Sequence, residues 1–298
     1  MALDQSFDDK FYNYDEDSES ALPDPDSDGT EMSFLEHLEE LRWHLLRAFA
    51  SIFVFALIAF VFIKDIFQYV IIAPKDPSFW TYRQLCKLAD ITGYRDLCVD
   101  KLNFELQALG MADNFTMSLT ISFIVGLSFA FPYTFWEVWR FIAPGLRASE
   151  RRAARGAVFY VSLLFFMGLF FGYFIVSPLA INFLANYQLS PDIKNQYDIT
   201  SYIGVLAMLS LGCALMFQMP IVAFVLSKVG VLTPGFMREY RKHAWIVILI
   251  VAGVITPSPD IYSQVLVALP LAMLYEVSIL VSRSIQRARL KDAQELAK

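Results

Sequence analysis

The sequence predicts an all-helical integral membrane protein with six transmembrane helices, the last two of them short, and both termini cytoplasmic. Three observations lead there. Of the 298 residues, 56% are hydrophobic and mean hydropathy is +0.47, too apolar for a soluble domain whose surface needs charge. The apolar residues gather into long runs separated by short polar connections. Basic residues collect on alternate connections, the charge bias that orients membrane proteins.

The formal charge of -6 hides this asymmetry, because residues 1–31 hold eleven carboxylates against Lys10 alone. Without that segment, 23 Lys and Arg face 19 Asp and Glu. Residues 1–31 are acidic and poor in bulky apolar side chains, so they are expected to form a disordered tail. They lack the basic and apolar regions of a cleaved signal peptide, which leaves insertion to the first membrane helix. Residues 32–285 then form the membrane domain, and residues 286–298 a charged cytoplasmic tail.

Ser33-Phe34-Leu35-Glu36 fits a capping box and starts the first helix. Phe34, Leu38, Leu41 and Leu45 make one apolar stripe at helical spacing, so this stretch should lie in the headgroup zone. Leu45 to Ile63 then crosses, rising roughly 28 Å, about one hydrocarbon core. Later crossings are expected near Phe115 to Trp136, Ala157 to Val176, Ile203 to Ser227, Ala244 to Ile255 and Ile261 to Val281. With cytoplasmic termini, seventeen Lys and Arg fall inside and seven outside. The fifth crossing is short, roughly 18 Å, and Pro270 and Glu276 interrupt the sixth. A bilayer thinned around this hairpin is the preferred arrangement, with a re-entrant pair as the alternative.

No GxxxxGK[ST] phosphate loop, HExxH, CxxC or GxSxG occurs, and His37, His44 and His243 are dispersed. Nucleotide hydrolysis, a zinc site and hydrolytic catalysis therefore lack their motifs, and no cofactor, metal or nucleic acid is expected. Cys86 and Cys98 lie in the loop from Lys64 to Asn114, which the topology places outside, where disulfides persist. A bridge between them is expected, worth about 2 to 3 kcal/mol; two unpaired thiols are the alternative. Cys213, inside a span, reads as a small packing residue. Within the spans, Glu137, Gln218 and Glu276 stand out. Either a proton relay or interhelical hydrogen bonding accounts for them, and no chain of acids and histidines links them.

The decisive stretches are HLEELRWHLL (His37 to Leu46) and WRFIAPGLRASERR (Trp139 to Arg152). They resemble the two signature segments of the TatC family, the multispanning receptor subunits of the bacterial twin-arginine translocase. IIAP (Ile71 to Pro74), GYFIVSPLAINFLANY (Gly172 to Tyr187), the Phe217-Gln218-Met219-Pro220 kink and TPSPDIYSQ (Thr256 to Gln264) follow in the family's order. The resemblance covers most of residues 33–285.

It implies a receptor and assembly core in the bacterial cytoplasmic membrane. Such a core exports folded cargo bearing paired-arginine signal peptides, is driven by the proton-motive force, and works in a multimeric complex with TatA-type and TatB-type single-span subunits. Glu40 and Glu150 fall where the family places its arginine-binding carboxylates, which suits chemistry: a carboxylate accepts a guanidinium's paired N–H groups. Arg42, two residues from Glu40, points to another side of the helix and does not neutralise it. Arg42 is expected to position Glu150 or the peptide backbone, Arg151 belongs to the same signal-peptide-binding set, and Leu45 and Phe141 border the region and receive apolar residues after the arginines. Gln218 stands where many members carry a carboxylate, so no proton-linked role is expected there. With Thr256 and Gln264 it forms the candidate contact for partner helices. The cysteine-bearing loop is longer than the family pattern. A secondary transporter of a small solute is the main rival, but the sequence shows neither repeated halves nor a midplane charge cluster.

Overall fold

The structure, a computed structural model, describes residues 34–93, 98, 102, 104–142, 156–187, 190, 195–256 and 261–296. The acidic segment 1–31 and the capping residue Ser33 lie outside the described residues. The fold divides into a short N-terminal unit, Met1–Leu41, and a main unit, Arg42–Lys298. Of the former, the structure describes the opening turns of the first helix.

Helix α1 spans Phe34–Val61 and is followed by a short α2, Ile63–Ile66. A π-helical turn, Phe67–Ile71, and a 3-10 turn, Ala73–Lys75, lead to α3, Trp80–Thr92. Gly93 closes α3 in the left-handed region at φ 77°, a conformation natural to glycine. Strand β1, Glu105–Gln107, precedes the long helix α4, Asp113–Ile142. Helix α5, Ala157–Phe171, continues through a π segment, Gly172–Val176, into α6, Ser177–Asn186. Strand β2, Gln196–Asp198, pairs in parallel with β1, Glu105 opposite Gln196. Helices α7, Ile199–Met216, and α8, Met219–Val229, are separated at Phe217-Gln218; Pro220 has no N–H to continue the ladder. Then come α9, Pro234–Glu239, α10, Arg241–Ile255, and α11, Ile261–Leu296.

Among the described residues five helical stretches are long and apolar enough to cross a membrane: Glu39–Val61, Asp113–Phe141, Val158–Asn186, Ile199–Lys228 and Gln264–Ala288. The chain is a helical, multi-pass membrane protein whose short β1–β2 pair lies outside the sequence expectation. Helix α10, which contains the expected short fifth crossing, has 15 residues, roughly 22 Å of helix. Two boundaries differ most from the sequence reading. The third span runs ten residues past Val176, because the π segment absorbs a misfit without ending the helix. Helix α11 passes through Pro270 unbroken and carries on through the charged segment to Leu296.

One apolar cluster joins Val176, Leu209, Cys213, Ala252, Val267 and Leu271, tying the α5–α6 span to α7, α10 and α11. A second, with Ile71, Phe104, Ile121, Ile181 and Tyr202, seals the end bearing the cysteine loop. The close approach of α5 to α7 depends on two glycines. A Cβ on Gly168 would lie 2.7 Å from the Cys213 carbonyl oxygen, and one on Gly172 2.7 Å from that of Leu209. This is the small-xxx-small spacing by which membrane helices pack backbone to backbone.

Proline and π interruptions leave carbonyls for side chains to satisfy. Pro74 cannot donate to Val70 O, and the Tyr173 hydroxyl does so at 2.7 Å. Pro178 cannot donate to Phe174 O, and the Thr81 hydroxyl does. Tyr82, fully buried, directs its hydroxyl to Pro178 O at 2.9 Å and Pro74 O at 3.1 Å. Cys86, on α3, and Cys98 are joined as a disulfide.

Candidate functional site

The first candidate segment sits on α1. Glu40 is half-buried, and Arg42 and Leu45 are exposed. His44 is buried, and its Nδ1 lies 2.5 Å from Oε2 of Glu137 on α4, itself almost wholly buried. An ionised carboxylate only accepts, so Nδ1 carries the proton in this arrangement. Arg140 flanks the pair, its guanidinium 4.0 Å from the other Glu137 oxygen and 5.2 Å from the Trp136 ring centre. The carboxylate is thereby satisfied within the protein, as a deep acid must be.

Phe141, one turn beyond Glu137, is half-buried near the end of α4. Glu150 and Arg151 lie outside the described residues, as does the rest of 143–155. The structure therefore brings α1 and α4 together at His44 and Glu137 and leaves the second carboxylate of the sequence reading unplaced.

The candidate partner-contact residues separate into two kinds. Gln218, at the α7–α8 break, places Nε2 3.4 Å from both Val161 O and Ala214 O, and its buried Oε1 has no partner among the described residues. Thr256 and Gln264 are engaged within their own hairpin. The Thr256 hydroxyl donates to Ala252 O at 2.9 Å, and Gln264 Nε2 donates to Leu249 O at 3.0 Å. Gly253 allows that approach, since a Cβ there would lie 3.1 Å from Gln264 Nε2. Glu276 pairs with Arg241 at 2.6 Å. Glu137, Gln218 and Glu276 thus all bond between helices.

A cavity of about 560 Å³ lies among Tyr69, Phe79, Ser128, Phe170, Tyr173 and Ser210. Among the described residues, no Asp, Glu, Lys, Arg or His lines it. Such a lining suits hydrocarbon and lacks the convergent polar groups that orient a small polar solute.

A profile of the family described as "Sec-independent protein translocase protein (TatC)" matches residues 36–270. The chain belongs to the TatC family. Its TatC relatives include that of Blattabacterium sp. subsp. Periplaneta americana, 35% identical over 254 residues, 85% of this chain and 95% of the relative. The TatC of Aquifex aeolicus is 34% identical over 87% of this chain and 98% of its own length. A crystal structure described as "Twin Arginine Translocase Receptor- TatC" superposes with a TM-score of 0.61 at 31% identity, covering 84% of this chain and 100% of that one. TatC proteins are translocase components, not enzymes. This chain is accordingly a multi-pass inner-membrane component of a Sec-independent protein translocase.

Within this TatC framework, the sequence reading noted His44 and Glu137 separately and did not pair them. They stand 93 residues apart, and no local pattern joins them. The available signal is that an acid inside an apolar span requires a partner on a neighbouring helix.

Proposed function

We propose that this chain is the receptor and assembly core of the twin-arginine translocase, and that it binds paired-arginine signal peptides of folded cargo at the cytoplasmic face. The observation that carries the reading is the likeness to a solved twin-arginine translocase receptor over that structure's whole length. The two segments His37–Leu46 and Trp139–Arg152 give it chemistry. Glu40 and Glu150 accept the two guanidiniums, each charge-assisted contact contributing roughly 1.5 to 3 kcal/mol. Arg42 and Arg151 orient the acids and the peptide backbone, and Leu45 and Phe141 take the apolar residues that follow. With α10 as the short crossing, six spans return both termini to the cytoplasm.

Movement of cargo draws on the proton-motive force and on TatA-type and TatB-type single-span partners. Gln218 is only half-buried, and its Oε1 has no partner among the described residues, which supports a polar contact with such a helix, since amide side chains bond across membrane helices. Thr256 and Gln264, already bonded within their hairpin, would serve as its shape and not as its donors.

The test is ligand choice by the purified chain in nanodiscs. A signal peptide with adjacent arginines binds, and the same peptide with lysines binds about tenfold or more weakly, because an ammonium lacks the planar fork. Equal affinity for the two peptides would overturn the reading. Saturable solute uptake by liposomes holding this chain alone would replace it with transport.

A further inference from the structure

Helix α3, Trp80–Thr92, lies outside the five long apolar stretches, yet its surface is not uniformly polar. Tyr82 and Ala89 are buried on one side of it. At about 100° per residue, the exposed remainder divides into two edges. Trp80, Leu88 and Ile91, 49%, 51% and 81% exposed, fall within about 80° of one another, with half-buried Gln84 among them. Arg83, Lys87 and Asp90, all exposed, occupy roughly the next 60°. A helix lying along a bilayer surface needs this division, with one edge in the acyl boundary and the other among headgroups and water.

The depth of α3 agrees. The Phe79 ring stacks on Phe174 with centres 5.6 Å apart, Trp80 meets the same ring edge-on at 6.3 Å, and the Thr81 hydroxyl donates to Phe174 O. Phe174 stands about 24 Å along the third span from Val158, close to the far boundary of a hydrocarbon core of roughly 30 Å. One turn back, Phe170 is 55% exposed, its ring centre 6.2 Å from that of Phe174. Trp80 therefore continues an apolar surface that already belongs to a membrane span, at the level where tryptophan meets hydrocarbon and water together. We infer that α3 is an interfacial helix whose partner is the phospholipid surface at the cysteine-loop end of the bundle. Trp80, Leu88 and Ile91 enter the acyl boundary, Arg83 and Lys87 reach lipid phosphates, and Asp90 stays in water. The bilayer thus holds from outside the helix whose inner side carries Thr81 and Tyr82.

The experiment uses the full chain in phospholipid nanodiscs with the Cys86–Cys98 bridge kept oxidised. Leu88→Cys, Ile91→Cys, Arg83→Cys and Asp90→Cys each take a nitroxide label, while the remaining thiol, Cys213, is buried. The ratio of accessibility to lipid-soluble oxygen over a water-soluble nickel chelate should be several-fold higher at Leu88 and Ile91 than at Arg83 and Asp90. A second measurement needs no label. Trp80 emission, taken as wild type minus Trp80→Phe, should be strongly quenched by lipids brominated on the upper acyl chain, and much less by lipids brominated at the chain ends. Equal ratios at the four labelled positions overturn the inference. So does Trp80 emission untouched by upper-chain bromine, or quenched chiefly by bromine at the chain ends, a depth that belongs to a span.

Discussion

The Tyr173 hydroxyl donates to the Val70 carbonyl at 2.7 Å, across 103 residues of sequence, and it supplies the bond that Pro74 cannot. Tyr82 and Thr81 do the same service for Pro74, Pro178 and Phe174. The end bearing the cysteine loop is thus held by hydroxyls meeting carbonyls that proline and π geometry leave over.

Tyr82→Phe removes the donor and leaves buried carbonyls unmet, which costs about 1 to 3 kcal/mol. The expected result is a lowered melting temperature in detergent, with membrane insertion unchanged. Burial also pushes the Tyr82 hydroxyl above the usual tyrosine range. A group whose folded pKa is raised contributes fully below its unfolded pKa and loses that contribution as pH climbs through the folded one. In the wild type, stability should therefore decline above about pH 10, and in Tyr82→Phe that part of the decline should be absent. Melting curves from pH 7 upward compare the two.

Gly168→Ala places a methyl group against the Cys213 carbonyl and the Ala214 backbone. Neither is a flexible side chain, so α5 and α7 must separate, at about 1 to 3 kcal/mol. Gly204→Ala, whose Cβ meets nothing within 4 Å, is the matched control and should melt as wild type. A thermal shift assay on both variants checks the contrast.

Glu40→Gln keeps size and removes charge. On the receptor reading it weakens arginine-pair peptide binding by about 10- to 100-fold, and Glu150→Gln does likewise. Fluorescence anisotropy with a labelled peptide measures this, and unchanged affinity in both variants would remove these acids from the site.

Cys86→Ser/Cys98→Ser opens a short loop, whose closure contributes about 2 to 3 kcal/mol. Peptide mapping without reductant should find the two cysteines linked in the wild type. The double variant should show faster amide exchange in α3, leaving peptide affinity as it was.

The helices were legible because a membrane span is a local signal of apolar run length, and the signature segments were legible because their residues are contiguous. Pro270 reads as an interruption in the sequence, yet α11 passes through it; its flanking residues Val267 and Leu271 pack in one cluster with Ile248 and Ala252 of α10 and hold the turn together. The Gly168-x-x-x-Gly172 spacing was present in the sequence, but which helix it receives is a tertiary fact. His44–Glu137 was hidden for the same reason. A charged residue announces that it needs a partner and not which one. Glu150 and Arg151, in the second signature segment, lie outside the described residues, so that half of the candidate site rests on sequence.

The parallel pairing of β1 with β2, Glu105 opposite Gln196, bears on the order of assembly. The later strand leaves the ribosome about 90 residues after the earlier one, a delay of roughly 5 to 20 seconds at ordinary synthesis rates. Through that interval β1 waits without its partner strand, so any factor that chaperones nascent membrane chains meets it bare.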